Sequence, residues 1–251
     1  MASGSSEKSR PSLFWALAVL VVPFVDYVSK MRFINREKLP VDGPFVLAPN
    51  HYSEFDPIIV AAAVWKLRRA PRFMAKDSLF RVPVVGWLLK HTGMIPVART
   101  SSRTASAQTI EQSRALVEAG RGVIVYPEGT LTRDPDMWPM RGKSGAVRLA
   151  MAGDIPLIPM AQWGTQAIMG RYQKGLSLWP PRKPIDIVIG DPIDLSDLKD
   201  RQSEPAAIAE ATDRLMNAIT ALLEELRGEK APAKRWNPAE HGQKETGRLD
   251  S

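Results

Sequence analysis

The sequence predicts an α/β domain with a mixed, largely parallel central sheet that is flanked by helices and preceded by an apolar N-terminal helix. Three observations support this fold class. Short apolar runs, typical of buried strands, alternate with longer segments that have helical periodicity. An unbroken apolar run covers residues 13–25, and both ends of the chain are polar. With 251 residues, of which 44% are hydrophobic, the chain can form one sizeable core, so we expect a single domain over residues 29–228.

The apolar run over residues 13–25 reads LFWALAVLVVPFV, with Lys8 and Arg10 before it and Lys30 after it. A helix that crosses a bilayer needs about 20 apolar residues, so this run is short for a span. A cleaved signal peptide also has basic residues ahead of a short apolar core, but no small-residue cleavage pattern follows here. A buried core helix is a further alternative. The tryptophan and the flanking cations favour an interfacial helix, so we expect residues 13–28 to be membrane-associated.

The alternation of apolar runs and helical patterns fills the middle of the chain. The predicted strands are residues 45–49, 72–75, 94–97, 123–126, 157–160 and 185–189, and the predicted helices are residues 57–66, 84–90, 104–119, 143–151 and 205–226. In sheets of this kind, functional groups tend to lie where strands end and loops begin. We therefore expect the chemistry of this chain at the loops that follow strands.

Charged residues are concentrated at the two ends of the chain and in two central zones. Residues 1–12 and 229–251 are polar, so we expect both to be tails and the C-terminal one to be disordered. Residues 66–103 hold nine Lys or Arg against one acid, and residues 141–186 hold seven against two. A net charge of +7 suits an anionic membrane surface or nucleic acid. Neither a single surface of interleaved aromatic and basic residues nor a reading helix is visible, so we expect no nucleic-acid partner.

Several kinds of chemistry are excluded by the residue types present. The chain has no cysteine, which rules out disulfides, thiolate metal sites and a cysteine nucleophile. No Gly-x-Ser-x-Gly nucleophile elbow occurs. Lys143 and Ser144 precede a helical pattern, but a phosphate loop needs Gly where this chain has Met137. We expect neither a metal nor a cofactor.

The strand over residues 45–49 runs directly into a turn that contains His51 and Asp56. Because Asp56 precedes Pro57, it could serve as a helix N-cap alone. A chain reversal over this spacing would also bring its carboxylate to Nδ1 of the imidazole. That contact would leave Nε2 free to take a proton from a substrate hydroxyl. The turn is therefore a candidate general-base site.

Four segments of the chain resemble motifs of the glycerolipid acyltransferase family, of the 1-acyl-glycerol-3-phosphate (lysophosphatidic acid) acyltransferase type. Asn50, His51, Ser53 and Asp56 resemble its first motif, which is His, any four residues, Asp. GMIPVAR at residues 93–99, YPEGT at residues 126–130 and IPLIPM at residues 155–160 resemble the second, third and fourth. All four occur in the family's order, and the resemblance covers about residues 40–195.

The resemblance implies a role for each motif residue. It implies that His51 is the general base, that Asp56 orients it, and that the acceptor hydroxyl attacks a thioester directly, without an acyl-enzyme. It implies a grip of Arg99 on the acceptor phosphate, and acceptor binding by Glu128. The other positions that we expect in the substrate site are Asn50, Ser53, Gly129 and Thr130.

The third motif departs from the family pattern at one position. Many members carry Arg soon after Glu-Gly-Thr, whereas this chain has Leu131. We expect Arg133 or Lys143 to take the place of that cation, with Lys76 as a further phosphate contact in the first basic zone.

The resemblance implies transfer of a fatty acyl group from acyl-CoA or acyl-carrier protein to lysophosphatidic acid. The product would be phosphatidic acid, made in phospholipid biosynthesis at the cytoplasmic face of a membrane. Two alternatives are open. The acceptor could be glycerol 3-phosphate, another lysophospholipid or a glycolipid, or the chain could be a non-catalytic membrane-binding protein of the same fold. Retention of both His51 and Asp56 favours activity.

Overall fold

The computed structural model describes residues 12–97 and 103–244, and at Lys76, Val97 and residues 103–107 it describes the backbone alone. The helices are α1 (Leu13–Val28), α2 (Asp56–Lys66), α3 (Pro83–His91), α4 (Arg103–Ala119), α5 (Gly145–Gly153) and α6 (Pro205–Arg227). The strands are β1 (Ser29–Ile34), β2 (Phe45–Pro49), β3 (Met74–Lys76), β4 (Ile95–Val97), β5 (Gly122–Ile124), β6 (Leu157–Trp163) and β7 (Lys183–Ile189).

Five strands form the central sheet in the order β1-β7-β6-β2-β5. Every neighbouring pair in it is parallel except β6 with β7. The short strands β3 and β4 pair in parallel beside it, and a bridge from Phe73 to Ile124 joins them to β5. The predicted mixed, largely parallel sheet is confirmed.

Strand β2 lies inside the sheet, between β6 and β5, and is buried on both faces. Because side chains alternate along a strand, Phe45 and Leu47 pack with α1 and α2, whereas Val46 and Ala48 pack with α5 and α6. A strand covered on both sides appears in sequence as a continuous apolar run, which is why FVLAP was recognisable. The turn that follows β2 is therefore anchored to a strand that is buried on both faces.

Helix α6 is the longest helix described in these two stretches, and it covers one face of the sheet. Its buried residues recur at helical spacing, as a one-sided stripe does. It begins with Pro205 in its first turn and ends at Gly228, whose φ of +65° suits a helix C-terminus. The helix supports β6 from behind and forms one wall of the cleft described below.

Helix α1 occupies the whole of the predicted segment, residues 13–28. It packs along α2, where the rings of Trp15 and Trp65 meet edge-on at 5.4 Å. Val25 and Val28, near its end, are fully buried in the core. Across residues 12–97 and 103–244, no helix combines the length and the apolar character that crossing a membrane requires.

Two parts of the chain differ from the prediction. Strand β1 was missed because it is an edge strand that carries Lys30 and Arg32; Arg32 pairs with Asp186 of β7 at 2.6 Å. The expectation of a disordered C-terminal tail does not hold for residues 229–244. Arg235 contacts Asp213 of α6 at 3.0 Å, and a short 3₁₀ helix follows over Pro238–His241. The charges that suggested a tail instead form ion pairs with α6.

Candidate active site

The turn after β2 brings His51 and Asp56 into contact. Nδ1 of His51 lies 3.0 Å from Oδ2 of Asp56, and the carboxylate is fully buried, whereas the imidazole is 15% exposed. The backbone N–H groups of Tyr52 and Ser53 donate to the same carboxylate oxygen at 2.7 and 2.8 Å. These contacts hold the carboxylate against Nδ1, so that Nε2 is the ring nitrogen not engaged by Asp56.

The simpler explanation of Asp56 as a helix N-cap does not apply. Asp56 is the first residue of α2, its N-cap position is Phe55, and no side chain caps the helix. The carboxylate instead points back into the preceding turn, towards the backbone of residues 52 and 53. The start of α2 thus positions Asp56, and its carboxylate contacts the histidine instead of capping the helix.

Glu128, in the loop after β5, fixes the backbone of this turn. Its Oε1 accepts from the N–H of His51 at 3.0 Å, and its Oε2 accepts from the N–H of Met140 at 3.0 Å. Close by, the N–H of Thr132 donates to the carbonyl of His51 at 2.7 Å. Both backbone groups of His51 are therefore bound by the loop that holds the third motif.

Burial raises the pKa of Glu128 to about 8. The two N–H donors oppose this shift but are outweighed by desolvation. A hydrogen bond with the side chain of Thr132 also lowers the pKa of Glu128 and is likewise outweighed.

Tyr126 stacks on the imidazole, with ring centroids 4.1 Å apart and planes inclined by 25°. Strand β5 ends at Ile124 rather than at the predicted residue 126, and Tyr126 leaves the sheet to reach His51. Burial, followed by the charge of Asp56, raises the pKa of Tyr126 well above its usual value. Sequence reasoning missed this contact, although an aromatic residue directly before Pro-Glu-Gly was visible as a signal.

Asn50 and Ser53 are used to hold the turn in place. The amide of Asn50 pairs with the backbone of Gln162 in β6, donating at 3.1 Å and accepting at 2.9 Å. The Ser53 hydroxyl donates to the carbonyl of Met169 at 2.6 Å. Both residues are buried. A contact of either one with substrate stays a prediction.

Gly129 and Lys143 lie together at the turn of the third motif. Gly129 has a φ of +69°, and a Cβ there would come within 3.0 Å of Cδ of Lys143, so this turn requires glycine. Lys143 is exposed, and Thr130 is half-buried. Arg133, by contrast, is buried, with Nη1 donating to the hydroxyl of Tyr172 at 3.3 Å. Of the two proposed replacements for the missing cation, only Lys143 reaches the surface.

Two predicted phosphate contacts fall outside what the structure describes. Arg99 lies in the gap between residues 97 and 103, and for Lys76 only the backbone, in β3, is described. Their roles stay predictions. Within the described residues, no three His, Cys, Asp or Glu side chains are grouped as a metal site would require.

A cleft of about 560 Å³ opens beside Glu128, between the start of α5 and the first half of α6. Arg141, Lys143 and Arg148 line it on one side, and Asp213, which is paired with Arg235, lies on the other. The C-terminal segment contributes Pro238 to its rim. The cleft is within the usual size range of ligand sites and is more basic than acidic.

Known proteins are similar to this chain in sequence and in fold. A model of the family described as Acyltransferase matches residues 30–163. The chain is 29% identical over 163 residues to the chloroplastic 1-acyl-sn-glycerol-3-phosphate acyltransferase BAT2 of Brassica napus, an alignment covering 64% of this chain and 44% of BAT2. It is 29% identical over 198 residues to the 1-acyl-sn-glycerol-3-phosphate acyltransferase of Bacillus subtilis, covering 78% of this chain and 91% of that protein. The chain thus spans less than half the length of the Brassica relative.

A solved structure shows the same fold. It is the crystal structure of the 1-acyl-sn-glycerophosphate (LPA) acyltransferase PlsC from Thermotoga maritima, with a TM-score of 0.61. The match covers 88% of this chain and 82% of that one at 20% sequence identity. At this identity the similarity establishes the fold alone, so the chemistry must be argued from the residues of the site.

Proposed function

Because this chain belongs to the acyltransferase family, we propose that it transfers a fatty acyl group from an acyl thioester to the hydroxyl of lysophosphatidic acid. The observation that carries this proposal is the 3.0 Å contact between Nδ1 of His51 and the buried carboxylate of Asp56. The names of the relatives from Brassica and Bacillus support the choice of acceptor. Acyl-CoA and acyl-carrier protein are the two candidate donors.

In the proposed reaction, Nε2 of His51 removes the proton from the acceptor hydroxyl as its oxygen attacks the thioester carbonyl. A C–O bond forms and the C–S bond breaks, and the proton passes from the imidazolium to the departing thiolate. Asp56 binds the Nδ1 proton throughout and stabilises the transient imidazolium. Because its carboxylate is buried, this electrostatic support is stronger than it would be in water.

We assign Tyr126 and Glu128 to positioning of the base. Tyr126 covers one face of the imidazole, and Glu128 binds the backbone N–H of His51. Both carboxylate oxygens of Glu128 already accept backbone hydrogen bonds, so the geometry supports a structural contact better than an acceptor contact. Glu128 would therefore act on the reaction through His51.

For the acceptor phosphate, the exposed Lys143 is the best supported cation among the described residues. It lies over the Gly129 turn, next to the loop that binds His51. Arg99 and Lys76 are further proposed contacts, since the family resemblance and the local basic charge suggest them. A planar guanidinium such as that of Arg99 would bind phosphate oxygens in pairs.

We also propose that the enzyme works at the cytoplasmic face of a membrane, with α1 in the lipid interface. The outward side of α1 is apolar; its exposed large residues are Trp15, Val19, Leu20, Phe24 and Tyr27. The opposite side packs on α2 and the core. An apolar surface of this kind on a helix too short to span suits interfacial binding to the membrane that holds the acceptor.

The deciding experiment measures thiol release from palmitoyl-CoA by the purified protein, with and without lysophosphatidic acid, and follows phosphatidic acid by mass spectrometry. We expect acceptor-dependent release that is lost in His51→Ala, because Nε2 of His51 is the proposed acceptor of the hydroxyl proton. His241→Ala is the matched control; His241 stacks on Trp236 near the C-terminus and should leave turnover unchanged.

Two further arms of this experiment test the alternative acyl donor and an alternative acceptor. Acyl-carrier protein replaces acyl-CoA in one, and glycerol 3-phosphate replaces lysophosphatidic acid in the other, because this chain has Leu131 where the family motif that it resembles often has Arg. Turnover with glycerol 3-phosphate alone would correct the acceptor and keep the reaction class. Lack of acceptor-dependent release in every arm would exclude both tested acceptors and leave another lysophospholipid or a glycolipid as acceptor, or a non-catalytic membrane-binding protein of this fold.

A further inference from the structure

Helix α3 exposes most of its apolar residues, and only Leu88 and Leu89 are half-buried. In Pro83–His91 the only buried residue is Gly86. Val84 is 79% exposed and Trp87 is 53% exposed. Together with their neighbours they form what we call the α3 patch: Leu79, Val82, Val84, Val85 and Trp87. At helical spacing such residues are usually core, so their outward position needs an explanation.

The outward position of the patch is built into the local structure. Gly86 packs directly on the preceding 3₁₀ turn, and a Cβ there would lie 2.2 Å from the carbonyl oxygen of Phe80. Pro83 starts the helix, and the hydroxyl of Thr92 donates to the carbonyl of Leu88 at 2.7 Å to close it. The helix therefore packs through Gly86, and Val84, Val85 and Trp87 are left exposed.

A small apolar cluster links the segment directly after α3 to α1. The backbone N–H of Met94, just after α3, donates to the carbonyl of Leu89 at 2.9 Å. Its side chain packs against a cluster that contains Phe14 and Ala18 of α1 together with Trp65 of α2. The two exposed apolar surfaces thus belong to neighbouring parts of the molecule.

The charges around the patch fit an anionic lipid surface. Arg81 and Lys90 bracket α3 and are exposed, and the nearest acid in sequence, Asp77, is paired with Arg81 at 2.6 Å. Lys and Arg side chains at the edge of an apolar helix keep their charge in water while their stems lie along lipid, and Trp prefers the same boundary. At nine residues, α3 is too short to span.

We propose that the α3 patch inserts into the interface of an anionic membrane, as a second lipid contact beside α1. The choice of a lipid partner rests on the proposed function, in which the acceptor is a membrane lipid. A single short apolar anchor binds membranes marginally and reversibly, whereas two signals together give stable attachment. Two contacts also fix how the domain faces the bilayer, which one helix cannot do.

The absence of cysteine from the chain allows a direct test. Val84→Cys, labelled with an environment-sensitive fluorophore, is mixed with phosphatidylcholine vesicles that contain phosphatidylglycerol. We expect a blue shift, and quenching by brominated lipid. The matched control is Val117→Cys on α4, which is also exposed, at 43%, and should show neither change. An unshifted label at position 84, while the protein sediments with the vesicles, would overturn the proposal.

A second variant measures affinity. Val84→Asp should weaken vesicle binding about tenfold, because a carboxylate must be dehydrated to enter the interface, while Val117→Asp should not. Circular dichroism and thermal unfolding check that both variants are folded. Equal vesicle affinity of the two variants would contradict the proposal.

The same label also distinguishes lipid from other binding partners of the α3 patch. A blue shift without lipid that grows with protein concentration would identify a second copy of the chain, and one that appears on adding acyl-carrier protein would identify that partner. Either result would mean that the α3 patch binds a protein rather than lipid, and would overturn the proposal. Neither measurement involves turnover, so insertion at position 84 without phosphatidic acid synthesis would keep this inference and remove the proposed function.

Discussion

At the scale of single residues, the site depends on one carboxylate that is held in place before any substrate arrives. Oδ2 of Asp56 receives the N–H groups of residues 52 and 53 and contacts Nδ1 of His51. Since these donors are backbone groups of the same turn, the carboxylate is positioned by the chain that carries the histidine. A histidine held in this way presents Nε2 in one tautomer, as a general base requires.

Asp56→Asn tests this arrangement. The amide NH₂ group can turn towards Nδ1 and favour the wrong tautomer, so we expect kcat to fall on the order of 10³- to 10⁴-fold with little change in the unfolding temperature. Steady-state kinetics on vesicles that contain lysophosphatidic acid provide the measurement. Asp136→Asn, at an exposed position, is the control. A kcat within about tenfold of wild type would mean that Asp56 does not support the base.

At the scale of secondary-structure elements, the loop after β5 and the turn after β2 act as one unit. Glu128 and Thr132 bind the two backbone groups of His51, and Tyr126 covers its ring. The two strands are parallel neighbours in the sheet, so their carboxyl ends bring these loops to the same edge. The loop that holds the third motif therefore helps to position His51 of the first motif.

Stability should depend on pH through Glu128. Its pKa is about 8 in the fold against an ordinary value of 4.5, so the folded chain holds a proton that the unfolded chain has lost. Stability from this group is complete below about pH 4.5 and is lost as pH rises through about 8. Between pH 6 and 8 the free energy of unfolding should fall by about 2 kcal/mol.

Glu128→Gln resembles the neutral acid and should abolish that dependence. Urea unfolding of wild type and variant at pH 6 and pH 8 provides the measurement. Glu225→Gln, at an exposed position of α6, should retain the wild-type dependence. The same slope in Glu128→Gln as in wild type would show that the carboxyl titrates normally in the fold.

At the scale of the whole molecule, apolar and basic surfaces combine on a chain with a net charge of +7. The exposed side of α1 and the α3 patch supply apolar area, and the basic zone from residue 66 to residue 103 surrounds α3 in sequence. Apolar insertion depends little on ionic strength, whereas attraction between exposed charges and anionic lipid is screened by salt. The two contributions can therefore be separated.

Raising the salt concentration from about 0.1 M to about 1 M shortens the Debye length from about 10 Å to about 3 Å. We expect binding to vesicles that contain phosphatidylglycerol to weaken several-fold but to persist, as measured by sedimentation. Neutral phosphatidylcholine vesicles should show the residual binding at both salt concentrations. Complete release at high salt would mean that the apolar surfaces do not insert.

The sequence alone determined the fold class and the candidate pair of His51 and Asp56, because both are visible in local sequence patterns. Buried strands such as FVLAP appear as apolar runs, and His51 and Asp56 are five positions apart on one turn. The tertiary structure decided three further features: the roles of Glu128 and Tyr126, the folded conformation of residues 229–244, and the exposure of α3. Glu128 is 77 positions from His51, and Asn50 is 112 positions from Gln162. Contacts over such distances arise from the order of strands in the sheet, and periodicity carries no record of that order.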